Sequence, residues 1–459
     1  MRTRAYALLV TLGCAKNEVD TDRMRALLER AGIVEVDTVE EADVVILNTC
    51  SFLASATQEG IEVTLQLAEQ AAEGVRSVPI IMCGCIPSRY GAELPSELPE
   101  VAAFVPSDEE DGIADVVAEV LSLEPLSEGE PGLTPGGISD DVLPLRTVQG
   151  ASAFVKVSEG CNRFCTFCAI PYIRGRYHSR PADEIVAEVR ALAEGGVREV
   201  VLVGQDTGVW GSDLAEGESL AGLLRRVAEA MRPYHGWVRV LYLQPEGMTD
   251  ELVSVFRDVD EVLPYIDIPI QHCSSEVLRR MGRKGSPAEL AALFDRLRAE
   301  IPGIVIRTTA MAGFPGETDE EADELVSFLE DQGVDYCSVF SYSPEEGTRA
   351  AEMDGQVPDD VKLERTQRLV DLAEQMGFAA TASHVGEEAD VIIDGVEEGD
   401  DGPELVGHTW FQAPDTDGAV HIAEGEAAVG DVVRCRLTDA FCYELGGTIV
   451  EDGNDGSDE

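Results

Sequence analysis

The sequence predicts a three-domain α/β protein: an N-terminal domain with a parallel sheet, a partial (βα)6 barrel and a small C-terminal antiparallel β-barrel. Apolar runs of strand length alternate with helical stretches over residues 1–122 and again over 151–382, which is typical of parallel sheets. Residues 383–449 instead carry short strand-like runs between glycine turns, the pattern of a small barrel. A chain of 459 residues is long enough for about three domains.

Three cysteines follow three predicted strands of the N-terminal domain. The apolar runs lie at residues 6–10, 44–47 and 78–82, and a cysteine follows each of them within a few residues. Ligands collect at the carboxyl ends of parallel strands, and the cysteine spacings of 36 and 35 residues each correspond to about one βα unit. We therefore expect a three-thiol site formed by Cys14, Cys50 and Cys85.

Two alternatives to this site remain open. A free buried cysteine is the plain interpretation of each thiol taken singly. Cys83 lies two residues before Cys85 and could compete for the ligand role, although strand alternation and the Gly84-Cys85 turn favour Cys85.

Residues 123–150 are rich in proline, glycine and acidic residues and show neither a helical nor a strand period. This composition predicts a linker between the first two domains.

The barrel domain is predicted from six repeats of strand and helix, with its site at the C-terminal strand ends as in complete barrels. The predicted strands lie near residues 153–157, 199–204, 237–242, 265–270, 304–309 and 336–341. Candidate binding residues at or near their ends are Gly204, Gln205, Asp206, Gln271, His272 and Arg307.

Several residues of the barrel domain also have plainer interpretations. His272 could be a satisfied core histidine, and the isolated Cys273 and Cys337 are interpreted as packing residues. The segment Gly313-Phe314-Pro315-Gly316-Glu317-Thr318 has too few glycines, at the wrong spacing, for a phosphate loop and fits a turn that caps a helix at Asp319.

The first strand of the barrel domain is followed by three thiols within eight residues, with the spacing Cys-x3-Cys-x2-Cys. A mononuclear zinc site would normally take a fourth local ligand or a second CxxC pair. A cubane held by three cysteines instead leaves one iron open for a small molecule. Buried or zinc-bound thiols are the alternative, but cytosolic cysteine clusters usually indicate metal binding or catalysis. We predict an iron–sulfur site at Cys161, Cys165 and Cys168.

The C-terminal part is predicted to form strands at residues 389–393, 420–422 and 431–437, followed by a disordered acidic tail at 450–459. Residues 383 to the end contain 21 acidic residues and only Arg434 and Arg436 as bases, so this part should repel a phosphate backbone and attract a basic protein. The aromatic pair Trp410-Phe411 is a candidate partner contact, although such a pair in a small barrel is more often core.

The whole chain is strongly acidic, with 88 acidic against 34 basic residues and a net charge of -54. This charge argues against a phosphate-binding surface over most of the protein. The same excess is typical of cytoplasmic proteins of salt-accumulating organisms, in which salt screens the self-repulsion. We favour that interpretation for the overall charge, so only its local pattern bears on function.

The sequence predicts a cytoplasmic protein. No stretch approaches the ~20 apolar residues of a membrane span, and the chain starts in a strand-like segment instead of a signal peptide. Eleven cysteines in a chain of this length do not resemble the disulfide framework of a small secreted domain. We therefore expect reduced thiols and no membrane partner.

The three clustered cysteines, with Phe167 before the last of them, resemble the radical S-adenosylmethionine (SAM) superfamily. The second three-cysteine set and the small C-terminal barrel, which resembles a TRAM domain, extend the similarity to the methylthiotransferases over almost the whole chain. Among these, Gly13-Cys14-Ala15-Lys16-Asn17 resembles the RimO family, whereas tRNA-modifying relatives usually have Gln-Met in place of Ala15-Lys16. The segments Asp267 to His272 and Gly313 to Thr318 match methylthiotransferases more widely.

The resemblance implies two 4Fe-4S clusters. One, held by Cys161, Cys165 and Cys168, would cleave SAM to a 5'-deoxyadenosyl radical, with Phe167 and the polar residues at the strand ends around the SAM. The other, held by the N-terminal triad, would carry the sulfur. A C–H bond without acidity cannot be opened by a general base, so a cofactor radical is needed.

The RimO resemblance also implies the partners. The substrate would be an aspartate, modified at its β-carbon, of small-subunit ribosomal protein twelve or of the assembled subunit. A low-potential electron donor such as flavodoxin or ferredoxin would be required. Two alternatives stay open: a methylthiotransferase acting on a tRNA adenosine derivative, and a two-cluster electron carrier without chemistry of its own.

Overall fold

The computed structural model describes residues 4–73, 77–123, 146, 150–399 and 402–450. Most of the predicted linker at 123–150 and of the predicted tail at 450–459 lies outside the described residues, and the domain boundaries stay predictions. Within the described ranges, no helix combines the length and the apolar character needed to cross a membrane.

The N-terminal domain contains a parallel five-stranded sheet with the strand order β2-β1-β3-β4-β5. The two central strands β3 and β4 are completely buried, which explains their continuous apolar runs. The prediction located three strands and missed β2 and β5. These two lie at the edges of the sheet and are partly exposed, so their apolar pattern is weaker. The strands are β1 (Ala5–Thr11), β2 (Ile33–Glu35), β3 (Val44–Thr49), β4 (Ile80–Gly84) and β5 (Val101–Pro106).

Helices connect these strands and cover the sheet. The first helix packs Met24, Leu27 and Leu28 against strand residues such as Ala7 and Ile46. The helices are α1 (Ala15–Arg30), α2 (Ala54–Glu73), α3 (Cys85–Tyr90), α4 (Leu94–Glu97) and α5 (Ile113–Val120).

The predicted partial (βα)6 barrel is confirmed as two parallel three-stranded sheets, ordered β10-β9-β6 and β11-β12-β13. A parallel bridge between Val238 and Val262 and a hydrogen bond from Leu243 N to the Asp267 carbonyl oxygen connect the two halves. The six strands are β6 (Ser152–Lys156), β9 (Glu199–Val203), β10 (Trp237–Val240), β11 (Tyr265–Gln271), β12 (Val305–Ala312) and β13 (Tyr336–Ser341), with a small hairpin of β7 (Ser158–Glu159) and β8 (His178–Ser179).

Side chains alternate between the two faces of each barrel strand. On β9, Val200 and Leu202 pack against the outer helices, whereas Val201 and Val203 face the interior. The helices are α6 (Ile170–Ile173), α7 (Ala182–Glu194), α8 (Leu220–Met231), α9 (Asp250–Asp258), α10 (Ser275–Met281), α11 (Pro287–Glu300), α12 (Asp319–Gln332) and α13 (Asp359–Ser383).

The C-terminal domain is a closed barrel with the strand order β14-β15-β16-β18-β17, which confirms the predicted small β-barrel. It shares a hydrophobic cluster with the interior of the larger barrel, to which Phe411 contributes as a core residue. Tyr265 and Arg307, both from barrel strands, donate hydrogen bonds to the buried Asp417. The strands are β14 (Glu388–Gly399), β15 (Gly402–Thr409), β16 (Val420–Glu424), β17 (Val432–Phe441) and β18 (Glu444–Ile449).

His408 joins the two barrels through two carboxylates. Its ring nitrogens lie 2.7 Å from Glu199 Oε2 on β9 and 2.6 Å from Asp394 Oδ2 on β14. Burial opposes the positive charge of His408, but the two carboxylates outweigh burial and raise its pKa to about 9. The imidazolium therefore donates both of its N–H groups.

We expect the free energy of unfolding to fall as the pH rises through this pKa. The pKa in the folded protein exceeds the unfolded value of about 6.5, so the stabilisation is complete below about pH 6.5 and is lost towards pH 9, by roughly 3 kcal/mol. Urea unfolding at pH 6 and pH 9.5 in constant salt measures this change in the free energy of unfolding. His408→Gln should lower the free energy of unfolding at pH 6 and flatten its pH dependence. His421 is more exposed, and His421→Gln should leave that pH dependence unchanged. An unchanged slope in His408→Gln would contradict the assignment.

Candidate active site

The structure brings Cys14, Cys50 and Cys85 together at the C-terminal edge of the N-terminal sheet. Each follows one of the adjacent strands β1, β3 and β4. The Cys50 thiol donates a hydrogen bond to Cys85, and the charges of Cys14 and Cys85 both act on Cys50. A Cβ atom on Gly13 would lie 2.5 Å from the Cys50 Cβ, and Gly13 has a φ of +105°, so only glycine fits beside the cluster of thiols.

Two buried asparagines hold the strand ends that carry these cysteines. Asn17 Nδ2 donates to the carbonyl oxygens of Leu12 at 3.0 Å and Thr49 at 2.9 Å. Asn48 Nδ2 in turn donates to the Asn17 carbonyl oxygen at 3.0 Å. The hydrogen bonds cross from one strand end to the next, so they fix the relative positions of the cysteine-bearing loops.

Cys83 lies apart from this group. Its side chain is fully buried in the core between the sheet and α1. Cys83 lies on β4, whereas Cys85 begins α3 beyond the turn at Gly84, so the turn and not strand alternation separates the two thiols. Cys83 has the surroundings of a packing residue.

The second group, Cys161, Cys165 and Cys168, lies on the loop between β7 and α6. The charges of Cys165 and Cys161 both act on Cys168, which shows that the three thiols are close. The loop is fixed to the barrel from two sides: Thr166 N donates to the Met281 carbonyl oxygen, and the Thr166 carbonyl oxygen accepts from Ala350 N, each at 2.9 Å.

The predicted residues at the end of β9 surround this loop. Asp206 accepts two hydrogen bonds from Arg163, at 2.5 Å from Nε and 3.3 Å from Nη2. Gln205 Nε2 donates to Glu159 Oε1 at 2.9 Å. Gly204 packs so closely on Ser158 that a Cβ atom would collide with the Ser158 hydroxyl. Asp206 therefore contacts the cysteine loop itself, whereas Gly204 and Gln205 contact β7, which leads into that loop.

Phe167 is half-buried against the core beneath the outer helices. Gln271 ends β11 with a φ of +68° and is half-buried. His272 is fully buried: its Nδ1 accepts from Ser274 N at 3.0 Å, its Nε2 lies 3.9 Å from Glu317 Oε2, and burial lowers its pKa to about 4. Its buried Nε2 has no hydrogen-bond partner among the described residues, so His272 is not the satisfied core histidine of the plainer interpretation.

Arg307 has three oxygen partners away from the cysteine loop. It contacts Asp417 Oδ1 at 3.0 Å, Asp267 Oδ1 at 3.2 Å and Ser338 Oγ at 2.7 Å. These contacts join the barrel to the C-terminal domain and give no support to the prediction that Arg307 binds the cofactor.

The segment from Gly313 to Thr318 forms a helix cap, the plainer of its two interpretations. Thr318 Oγ1 accepts from Glu321 N and Glu321 Oε2 accepts from Thr318 N, which is a capping box at the start of α12. Glu317 accepts from Gly313 N at 2.9 Å and pairs with Arg365 at 2.9 Å.

The thiols have the chemistry that an iron–sulfur cluster requires. Burial raises the pKa of Cys161 and Cys165 and raises that of Cys168 to about 12, so metal must displace their protons on binding. The hydrogen bond from Cys50 lowers the pKa of Cys85 to about 6, and Arg174 acts in the same direction. Soft thiolates are the donors that iron–sulfur clusters use. Among the described residues, no three or more Cys, His, Asp or Glu side chains are arranged so that they could hold a single metal ion.

The N-terminal group of thiols adjoins, across one domain interface, the segment that follows the second group, and no sequence pattern predicted this contact. Cys85 packs against Ala169 and Ile173, which closely follow Cys168. Arg174 crosses the same interface, donating to Cys85 Sγ at 3.3 Å, Asn17 Oδ1 at 2.9 Å and Asp20 Oδ2 at 2.9 Å. Nothing in the sequence around Arg174 indicates these partners, because all lie more than 80 residues away.

Three sequence families match the chain. The Radical SAM superfamily matches residues 155–329, the Uncharacterized protein family UPF0004 matches 6–106, and the TRAM domain matches 385–450. Among solved structures, the radical SAM methyltransferase TsrM from Kitasatospora setae has a TM-score of 0.55 at 15% identity, covering 84% of this chain and 76% of TsrM.

Similar proteins extend over almost the full length. Proteins called ribosomal protein uS12 methylthiotransferase RimO are 41% identical in Trichlorobacter lovleyi, covering 97% of this chain and 98% of the relative, and 42% identical in Geotalea uraniireducens, covering 96% and 98%. The corresponding protein of Desulforudis audaxviator is 42% identical and covers 95% of both chains.

The open barrel, with three thiols on the loop that follows its first strand, and the family match define a radical SAM enzyme. Such an enzyme uses an iron–sulfur cluster and SAM. The chain belongs to the RimO family and is a radical SAM methylthiotransferase.

Proposed function

We propose that this enzyme adds a methylthio group to the β-carbon of an aspartate in ribosomal protein uS12. The relatives that are about 40% identical over almost their whole length carry that protein in their names. The observation that carries the proposal is the contact of Cys85 with Ala169 and Ile173. It brings the proposed sulfur-carrying site against the segment that follows the loop at which SAM would be cleaved.

Cys161, Cys165 and Cys168 would hold the cluster that binds SAM, and Cys14, Cys50 and Cys85 would hold a second 4Fe-4S cluster. When bound, the first cluster and SAM supply a radical able to remove hydrogen from an unactivated carbon, the second supplies the sulfur, and a second SAM supplies the methyl group. The chain itself positions the two sites and excludes water between them. Three of the six thiols, Cys50, Cys85 and Cys161, are buried, and this burial, with the raised pKa of Cys161 and Cys168 and the hydrogen bond between Cys50 and Cys85, supports this division.

SAM would lie beside the loop that carries Arg163. Gly204, Gln205 and Asp206 surround this loop and stay our candidates for contacts with SAM, together with Phe167. Arg283 is an additional candidate for the carboxylate of SAM. Its guanidinium donates to Gln244 and lies close enough to Cys165 for their charges to interact. Gln271, His272 and Arg307 stay predictions without supporting contacts.

The C-terminal domain fits a basic partner better than RNA. Arg434 and Arg436 form ion pairs with Asp390 and Glu388 of the same domain, so neither presents an uncompensated charge to phosphate. A cavity of about 500 Å³ on this domain is lined by the carboxylates of Asp394, Glu397, Asp415 and Glu444. A phosphate backbone would be repelled there, whereas a basic ribosomal protein would be attracted. We also infer a cytoplasmic location and a low-potential donor such as flavodoxin or ferredoxin.

The proposal is tested by supplying the reconstituted enzyme, SAM, sulfide and reductant with either uS12 or unmodified tRNA. We expect a mass gain of about 46 Da on uS12, in which a methylthio group replaces hydrogen. Because the attraction is electrostatic, binding of uS12 should weaken with rising salt, and circular dichroism in the same titration monitors folding. A gain on tRNA alone would favour the tRNA alternative, and SAM cleavage without either product would leave the proposed substrate without support.

A further inference from the structure

Lys16 carries a buried positive charge at the interface of the two cysteine sites. It lies two residues after Cys14, and only 7% of its surface is exposed. Its Nζ lies 3.3 Å from the carbonyl oxygen of Gly204, across the interface, and 4.0 Å from the centre of the Tyr242 ring.

The contacts of this ammonium group leave its charge without an anionic partner. Among the residues that the structure describes, no carboxylate forms an ion pair with Lys16. The neighbouring cations at the interface differ, because Lys156 and Arg174 both pair with Asp20, at 2.5 and 2.9 Å. An aromatic face and a neutral carbonyl oxygen offset only part of the cost of burying an ammonium group. The site is therefore suited to an anion that arrives with a ligand.

We propose that Lys16 binds the carboxylate of the substrate aspartate and thereby selects for an acidic side chain. This inference rests on the proposed function. The β-carbon is bonded directly to the side-chain carboxylate carbon, so anchoring the carboxylate at Nζ also fixes the C–H bond to be replaced. The acceptor Gly204 is followed two residues later by Asp206, which contacts Arg163 on the loop that carries Cys161, Cys165 and Cys168 (the radical loop), and Lys16 lies two residues after Cys14. A carboxylate at Nζ thus lies between the group that removes hydrogen and the group that supplies sulfur.

The proposal makes the effect of Lys16 depend on the substrate. Methionine has a similar length without the charge, so Lys16→Met is compared with wild type on uS12 and on uS12 in which asparagine replaces the modified aspartate. In the wild-type holoenzyme we expect the asparagine form to lose about a hundredfold in kcat/KM. Lys16→Met should lose a similar factor on the aspartate form and should no longer distinguish the two forms.

Binding provides a readout that is independent of turnover. The affinity of the holoenzyme for both forms of uS12 is measured without reductant, together with iron content and circular dichroism. We expect Lys16→Met to retain iron and fold while its preference for the aspartate form disappears. Lys362→Met, the same change at a lysine that pairs with Asp359 on α13, should leave the preference intact.

An alternative role of Lys16, neutralising the thiolates of the N-terminal site, gives a different result. Lys16→Met would then lose iron, or would bind both forms of uS12 less tightly by the same factor, and the proposal would be wrong. Failure of the proposed function is distinguishable, because wild type would then modify neither form. If Lys16→Met modified the aspartate form of uS12 and kept the wild-type preference over the asparagine form, the proposed role of Lys16 would also be wrong.

Discussion

Replacing Cys161, Cys165 and Cys168 together by alanine should abolish reductive cleavage of SAM, lowering 5'-deoxyadenosine formation to the rate without enzyme. All three thiols lie on one loop and act on one another electrostatically, so no other thiol of that loop remains to bind the cluster. Two cubanes correspond to about eight iron atoms, and the variant should retain about four. Chromatography of the nucleoside products and iron analysis of the anaerobically reconstituted protein measure both effects.

The matched control for this variant is Cys273→Ala with Cys337→Ala. Both residues are buried in the barrel core and lie outside the two groups of thiols. The double variant should lower the free energy of unfolding by an amount typical of small core deletions, but it should keep its iron and its SAM cleavage. Continued production of 5'-deoxyadenosine by the triple variant would refute the assignment of the radical site.

The barrel shows how far the sequence reasoning extends and where it ends. Periodicity located all six strands because their helix-facing residues are continuously apolar, as on β9. The strand-end rule also selected Gly204, Gln205 and Asp206, which lie beside β7 and the cysteine loop that follows it. Such features depend on neighbours close in the sequence or on the regular βα repeat, and a single sequence reveals both.

The same rule selected Arg307, and there it lacked the decisive information. Arg307 lies near the start of β12 and faces the barrel interior, where Asp417 accepts its hydrogen bond from 110 residues away. Docking of the C-terminal domain determines this contact, and no local pattern encodes docking. The partners of Arg174 and Lys16 across the interface were missed for the same reason.

Charge gives a further example, because composition alone could not separate adaptation to salt from recognition of a partner. The structure adds that the bases of the C-terminal domain, Arg434 and Arg436, are paired within the domain. These two arginines are therefore not available to neutralise the acidic cavity of the domain. This local arrangement bears on the partner, whereas the net charge of -54 does not.

Cys50→Ala should separate the two activities: SAM cleavage continues, while methylthio transfer to the substrate is lost. Cys50 donates a hydrogen bond to Cys85 and packs against Gly13, within the N-terminal group of thiols. Its removal leaves Cys14 and Cys85 with too few thiolates for a stable three-cysteine cluster, and the radical loop keeps all its thiols. The variant should lose up to about four iron atoms per chain.

The comparison that gives this result its meaning is Cys83→Ala. Cys83 is a buried cysteine of the same sheet whose side chain lies in the core, so it shares the cost of removing a buried thiol but not the proposed role in holding a cluster. We expect Cys83→Ala to retain iron and transfer, and Cys50→Ala to form 5'-deoxyadenosine without the 46 Da product. Substrate radicals formed without a sulfur source should be quenched by hydrogen return or reduction, so uS12 would be recovered unmodified. Methylthiolated uS12 formed at the normal rate by Cys50→Ala would show that the sulfur is held elsewhere.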